Sequence, residues 1–435
     1  MPVQKIPGTD VEYALISFDS DGRERTDDPE GGLFSRTILD RIKAKQPSHV
    51  FLFSHGWKGD VPSAIDQYNR WIGAMWKLEA DRRALGSGFS PLFIGLHWPS
   101  QPWGEEALAA AVSFATAGAS AIAPLVEAAV QHFGGGDAVR KPLEKIFAAY
   151  ERDPAARVLP DDVLEAYAAL GAAIGFSAGA DADAAPDEEG APLDPQAAVR
   201  AERAASVGQS FGIADSLRNG ILAGLRQASF WTMKRRARSI GEGGMHAFVA
   251  DVQRASGANV HLMGHSFGCI IVSSILGGPR GQGRLPRPAN SAVLVQGALS
   301  HWSYADKIPH ADGNRAGYFA GILDRQAVSG PLVTTQSVND SAVGVAYPAA
   351  VGLINEFAFD TTAAPPKFGA MGSFGIQGTS RASAVDILDA AGTYSFEPGK
   401  VYNVESSRFV PEHSGIDGPE VAHLLWQAAV GRGSR

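Results

Sequence analysis

One cysteine, Cys269, in 435 residues excludes a disulfide within the chain and suits a reducing compartment. Zinc-site spacings are missing as well: there is no His-Glu-x-x-His and no paired Cys-x-x-Cys. No P-loop is present, and no Gly-x-Gly-x-x-Gly follows a strand-like run. Positive charge is in deficit, with 38 Lys and Arg against 46 Asp and Glu and a net charge of −8. That balance excludes the global basic field of a nucleic-acid binder. One local cluster, Lys234, Arg235, Arg236 and Arg238, reads as a solvated helix face. The opening MPVQKIPGTDVEYALISFDSDG has no apolar region after a positive one, so no secretory leader is expected and a cytoplasmic location is. A single uncharged stretch, Ala107 to Val126, has the length to cross a bilayer. Its Ala, Gly and Ser content and Pro124 favour a buried or cap helix instead.

What is present is a 45% hydrophobic composition, enough for a large core. Short β-rich apolar runs recur, each followed by a turn signal and helical periodicity, the pattern of an α/β fold with a mostly parallel sheet. The expected strands are Val11 to Ile16, Val50 to Phe53, Leu92 to His97, Val260 to Met263, Ala292 to Gln296, Leu332 to Gln336 and Val401 to Val404. Residues 101–240 show no convincing strand and read as a helical insertion, a cap or lid. They separate an N-terminal part of the core, 1–100, from a C-terminal part, 241–435. Within the insertion, residues 179–195 are acidic and rich in Pro and Gly, which suits a flexible loop.

The pattern Gly-x-Ser-x-Gly occurs three times, as GFSAG at Gly175 to Gly179, GQSFG at Gly208 to Gly212 and GHSFG at Gly264 to Gly268. A nucleophile elbow needs a strand running straight into a helix, with glycines where side chains would clash. GFSAG follows the Ala-rich YAALGAAI and leads into the acidic loop. GQSFG follows a charged helical segment. Only GHSFG lies between a strand-like run, NVHLM, and a helix-like one, CIIVSSIL, which the glycines at 277 and 278 stop. Ser266 is therefore the candidate nucleophile, and Ser177 and Ser210 are decoys. Cys269 reads as a small apolar residue packing that helix on the sheet.

A serine hydroxyl needs a general base oriented by a carboxylate, and in elbow enzymes these stand, acid first, on loops after later strands. Asp340 follows the run PLVTTQS and is the first candidate for the acid, ahead of Asp306 and Asp360. It would equally serve as a helix N-cap. After VYNVES come His413 in a loop and His423 on a helix. Val421, Leu424, Leu425 and Ala428 form that helix's apolar stripe and His423 falls opposite it, so His413 is the preferred base. For an oxyanion, one donor is the N–H of Phe267, which follows the serine. His55-Gly56-Trp57 follows the strand-like HVFLF and offers the Trp57 N–H as a second. His55, Gly56, Gly264, His265 and Gly268 are supporting positions.

With SHGW, GHSFG, VND and EHSGID in this order, the chain resembles the α/β-hydrolase superfamily, in particular esterase-like or lipase-like members. The resemblance covers both ends of the chain, with about 140 unmatched residues between them. It implies an α/β-hydrolase fold, a serine hydrolase of carboxylic esters, and neither metal nor organic cofactor. The partners it implies are a small-molecule or lipid ester and no nucleic acid. The fold hosts amidases and thioesterases on the same triad. Leu108, Val112, Ala115, Ala119, Ile122 and Val126 recur at helical spacing, as an interfacial lipase's lid would, with membrane contact. A non-catalytic scaffold of the same fold is the remaining alternative.

Overall fold

The computed structural model describes residues 2–26, 31–57, 60–100, 122–153, 158–175, 194–196, 198–199, 222–340, 365–366 and 369–431. Ser177, Ser210, Asp360, residues 107–121 of the lid-like stretch and residues 179–193 of the acidic segment lie outside them.

Nine strands form one sheet: β1 (Val3–Lys5), β2 (Glu12–Ser17), β3 (His49–Ser54), β4 (Pro91–His97), β5 (Asn259–His265), β6 (Ser291–Val295), β7 (Leu332–Gln336), β8 (Ala382–Asp386) and β9 (Val401–Glu405). Their order across the sheet is β1-β2-β4-β3-β5-β6-β7-β9-β8. Only β1 pairs antiparallel with its neighbour; every other pairing is parallel. The expected α/β class with a mostly parallel sheet is what the chain adopts.

The seven expected strands are the sheet's inner ones. They are legible because burial on both faces demands near-continuous apolar runs. In β3, Val50 and Leu52 face one core while Phe51 and Phe53 face the other. The two unexpected strands, β1 and β8, are the edges. Neither has a fully buried residue, so neither needs an apolar block. The helices Phe34–Lys45, His246–Ala255 and Gly268–Gly277 pack on one face of the sheet, and Val61–Lys77 and Pro419–Val430 on the other.

The inserted helices Ile122–Phe133, Asp137–Arg152 and Asp161–Ala173 enclose a third core of their own. Helix Ala223–Ile240 joins it to the sheet. Its first turns, with Ala223, Leu225 and Ala228, belong to the insertion's core, and Phe230, Met233, Ala237 and Ile240 belong to the sheet's. Among the described residues no helix is long and apolar enough to cross a membrane.

The basic cluster on this helix corrects the expectation of a solvated face. Lys234 and Arg236 are buried, and Arg235 and Arg238 half-buried. The Lys234 ammonium lies 5.7 Å from the ring centre of Phe230 and 5.0 Å from that of Trp231. The Arg236 guanidinium donates to three backbone carbonyls, Ser20 at 3.0 Å, Pro99 at 2.8 Å and His132 at 3.0 Å. Burial lowers its pKa to about 10. Charge spacing along a helix cannot distinguish water from carbonyls as the cations' surroundings. Arg236 thus fastens the loop after β2, the loop after β4 and the helix Ile122–Phe133 to one point. Replacing Arg236 with Met strands three carbonyls and is expected to cost about 3 kcal/mol in urea unfolding. A loss below about 0.5 kcal/mol, the level of an ordinary surface change, would show that the fastening carries no weight.

Candidate active site

In an open parallel sheet, ligands bind beyond the carboxyl ends of the strands, where neighbouring connections leave in opposite directions. Here β3 connects to β4 on one side and β5 to β6 on the other, which puts that point between β3 and β5. The two strands are in register, with Ser54 opposite Gly264. His55-Gly56-Trp57 and Ser266 are therefore neighbours at the site edge.

Ser266 has φ +57°, the left-handed region that non-glycine residues rarely enter. Its N–H donates to Val295 O at 3.1 Å, and its carbonyl accepts from Cys269 N at 3.0 Å and Ala298 N at 3.2 Å. Those bonds to the end of β6 and the start of helix Gly268–Gly277 hold the strained turn. The flanking glycines are sterically compelled. A Cβ on Gly264 would lie 2.5 Å from Gly268 O, and one on Gly268 would lie 2.2 Å from Ser54 O. At Gly56 it would stand 2.5 Å from Ser266 Cβ, so only glycine lets this loop reach the serine.

Ser266, His413 and Asp340, taken from three separate loops, meet. His413 Nδ1 donates to Asp340 Oδ2 at 2.7 Å, which leaves Nε2 as the acceptor for the Ser266 hydroxyl at 2.8 Å. Asp340 is fully buried, and the His413 side chain is 20% exposed. The acid and base loops are also bonded to each other. Ser337 Oγ donates to Val410 O at 2.9 Å, Asn339 Nδ2 to Ser407 O at 2.8 Å, and Val338 N to Ser407 Oγ at 2.9 Å. Asp306 lies exposed on the loop after β6, with no bond to His413.

His423 corrects the picture of a helix residue simply turned away from the apolar stripe. It is 2% exposed. Its Nδ1 faces Asp81 Oδ2 at 2.8 Å and its Nε2 faces Gly392 O at 2.9 Å. The helix is covered on that side too, by the segment Glu79–Ala84.

The neighbouring backbone supplies unused donors. Among the described residues, the N–H groups of Phe267 and Trp57 have no hydrogen-bond acceptor. Phe267 caps the helix Gly268–Gly277, where the helix dipole adds partial positive charge. The rings of these two residues lie 5.7 Å apart, with Phe230 from the insertion's joining helix 5.2 Å from Phe267 and 6.0 Å from Trp57. His55 is a brace: its Nδ1 donates to Gly56 O at 2.8 Å, and its Nε2 accepts from Trp98 N at 3.3 Å. Ser100 Oγ donates to the same Gly56 carbonyl at 2.9 Å. Tyr68 OH accepts from His55 N at 2.8 Å and donates to Leu96 O at 2.5 Å. Cys269 is buried, with its thiol donating to Gly264 O at 3.2 Å and its pKa pushed up by burial.

Gln296 was missed by sequence reasoning, which placed it inside a strand. It follows β6 with φ +48°, and its Nε2 donates to Asp340 Oδ2 at 2.8 Å. Its Oε1 accepts from Thr335 Oγ1 at 2.9 Å. An amide directly after the apolar run Ala292 to Val295 is the one signal that could have marked it. Among the described residues no cluster of three or more His, Cys, Asp or Glu could hold a metal ion. No family model, curated protein or solved structure matches the chain.

Burial keeps several histidines around the site neutral. The pKa of His55 falls to about 3 through burial and then the nearby His97, and that of His265 falls to about 3 through burial and then His413. His97 falls to about 4 through burial and then Arg25. The unfolded chain binds these protons near pH 6.5, whereas the folded chain refuses them. Stability is therefore fully present above about pH 6.5 and lost as pH falls through the window down to about 3, at up to about 1.4 kcal/mol per pH unit for each ring. Urea midpoints should begin to drop below about pH 6.5, ahead of carboxylate titration. A profile flat to about pH 4.5 would contradict the neutral, buried rings.

Proposed function

We propose that the chain is a serine hydrolase of carboxylic esters with an α/β-hydrolase fold. The observation that carries this reading is the continuous line from Ser266 Oγ through the His413 ring to Asp340, with the serine in a strained strand-to-helix turn. Ser266 attacks the acyl carbon while His413 Nε2 takes its proton. The tetrahedral oxyanion is held by the N–H groups of Phe267 and Trp57, donors left without an acceptor among the described residues. Collapse expels the alcohol, protonated by His413, and leaves an acyl-Ser266. Water, activated by the same imidazole, repeats the attack and frees the acid. Asp340, further held by Gln296, orients the imidazole and stabilises its positive charge.

Ser266→Ala should abolish fluorophosphonate labelling and lower turnover of a short p-nitrophenyl ester by about 10³-fold or more. Ser177→Ala and Ser210→Ala should retain near wild-type rates. Undiminished turnover by Ser266→Ala would overturn the reading. Gln296→Leu should keep labelling but slow turnover about ten- to hundredfold, because Asp340 loses a charge-oriented donor. An unchanged rate would remove Gln296 from the site. A panel of ester, thioester and amide substrates, soluble and emulsified, separates the ester reading from amidase, thioesterase and interfacial lipase.

A further inference from the structure

We propose that the helix Val61–Lys77 is the positioning element for the loop bearing His413, acting through Gln67 and His265, with the exposed Arg70–Asp417 pair as a minor second tie. The inference rests on the reading of Ser266, His413 and Asp340 as a triad.

His413 belongs to a loop, and its Nε2 must stay within hydrogen-bond reach of a serine on another. A displacement of about 1 Å at such a contact can cost about a hundredfold in rate. The carbonyl of His413 itself is held, by His265 Nε2 at 2.9 Å. A carbonyl only accepts, so His265 carries its proton on Nε2 and leaves Nδ1 as an acceptor. Gln67 Nε2 donates to that Nδ1 at 3.2 Å. Burial, together with the neighbouring His413 and His55, keeps the ring neutral as this arrangement requires, against the pull of the His413 carbonyl and Asp340. The His265 and His413 rings also pack 4.8 Å apart, and Trp71 presents its edge to His265 at 6.5 Å.

Gln67, Arg70 and Trp71 are spaced three and four apart and share one face of the helix. Arg70 Nη1 donates to Asp417 Oδ2 at 2.7 Å, beyond His413 on the same loop, while its Nε bonds Asp66 at 3.0 Å. One residue after Gln67, Tyr68 bonds the His55 N–H. A single rigid element thus sets both the base loop and the loop offered as oxyanion donor. The second residue of the elbow pentapeptide, His265, acquires a task distinct from the serine's: it is the link between helix and base.

The test uses substitutions that move the donor nitrogen. His265→Gln places an amide N–H near the Nε2 position, His265→Asn places it short, near Nδ1, and His265→Leu removes it. The readouts are the rate constant for fluorophosphonate modification of Ser266, kcat and KM for a p-nitrophenyl ester, and the urea midpoint of each variant. Asn and Leu should lower modification rate and kcat about ten- to hundredfold with KM little changed, and Gln should lie within about threefold of wild type. Gln67→Leu, at a half-buried helix position, should lower both about three- to tenfold. Arg70→Ala, which removes an exposed pair, should lower them less than threefold. Loss of rate that follows the urea midpoint, with Gln no better than Asn, overturns the proposal in favour of simple packing. Wild-type rates in both His265→Leu and Gln67→Leu overturn it as well. A wild-type protein that fluorophosphonate does not modify at all overturns the triad reading and this inference with it.

Discussion

The constraint on which the site depends is backbone against backbone at the ends of β3 and β5. Gly268 sits so near the Ser54 and His55 carbonyls, and Gly56 so near Ser266, that a single added carbon on either glycine would overlap a neighbour. The left-handed serine follows from that closeness. The chain must leave β5 and enter a helix within the width left by the adjacent strand, and φ +57° at Ser266 is how it turns. Strain of about 1–3 kcal/mol persists only where the surroundings over-determine it. Bonds to Val295, Cys269 and Ala298 supply that hold. Gln296, one strand along, adopts the same rare φ region and donates to Asp340, the carboxylate that His413 also meets. Two strained residues at adjacent strand ends place the Ser266 and Gln296 side chains on one edge.

From that edge outward, order passes by hydrogen bonds between loops. The Asp340 loop is tied to the His413 loop through Ser337, Val338 and Asn339, and the His55-Gly56-Trp57 loop to its surroundings through His55, Tyr68, Trp98 and Ser100. Every participant stands at the end of a strand or on a helix packed against the sheet. Polar groups here are buried in quantity, and the arrangement is stable only because partners face them.

Much of this was legible in the sequence, for a definite reason. Inner parallel strands must be apolar on both sides, so β2 to β7 and β9 announce themselves, and with them the strand ends where Ser266, Asp340 and His413 stand. The edge strands β1 and β8 carry no such demand and stayed hidden. Contacts spanning long sequence separations leave no periodic trace. Arg236 with Ser20, Pro99 and His132, Gln67 with His265, and Gln296 with Asp340 are all of that kind. Their residue types alone suit a solvent-facing surface equally well.

The two His–Asp pairs show why residue type and proximity do not make a base. His413 meets Asp340 at 2.7 Å and His423 meets Asp81 at 2.8 Å, both through Nδ1. The difference is at the other nitrogen. His413 Nε2 faces a hydroxyl, which can give up its proton, so the ring keeps a lone pair directed at Ser266 Oγ. His423 Nε2 faces the Gly392 carbonyl, which only accepts. To bond that carbonyl, Nε2 must carry a proton, and it then has no lone pair to offer. Gln427 completes the cage by donating to the second Asp81 oxygen at 2.9 Å. The same two side chains therefore fasten the C-terminal helix in one place and leave a lone pair facing a serine in the other. The partner of Nε2 is the feature that separates them.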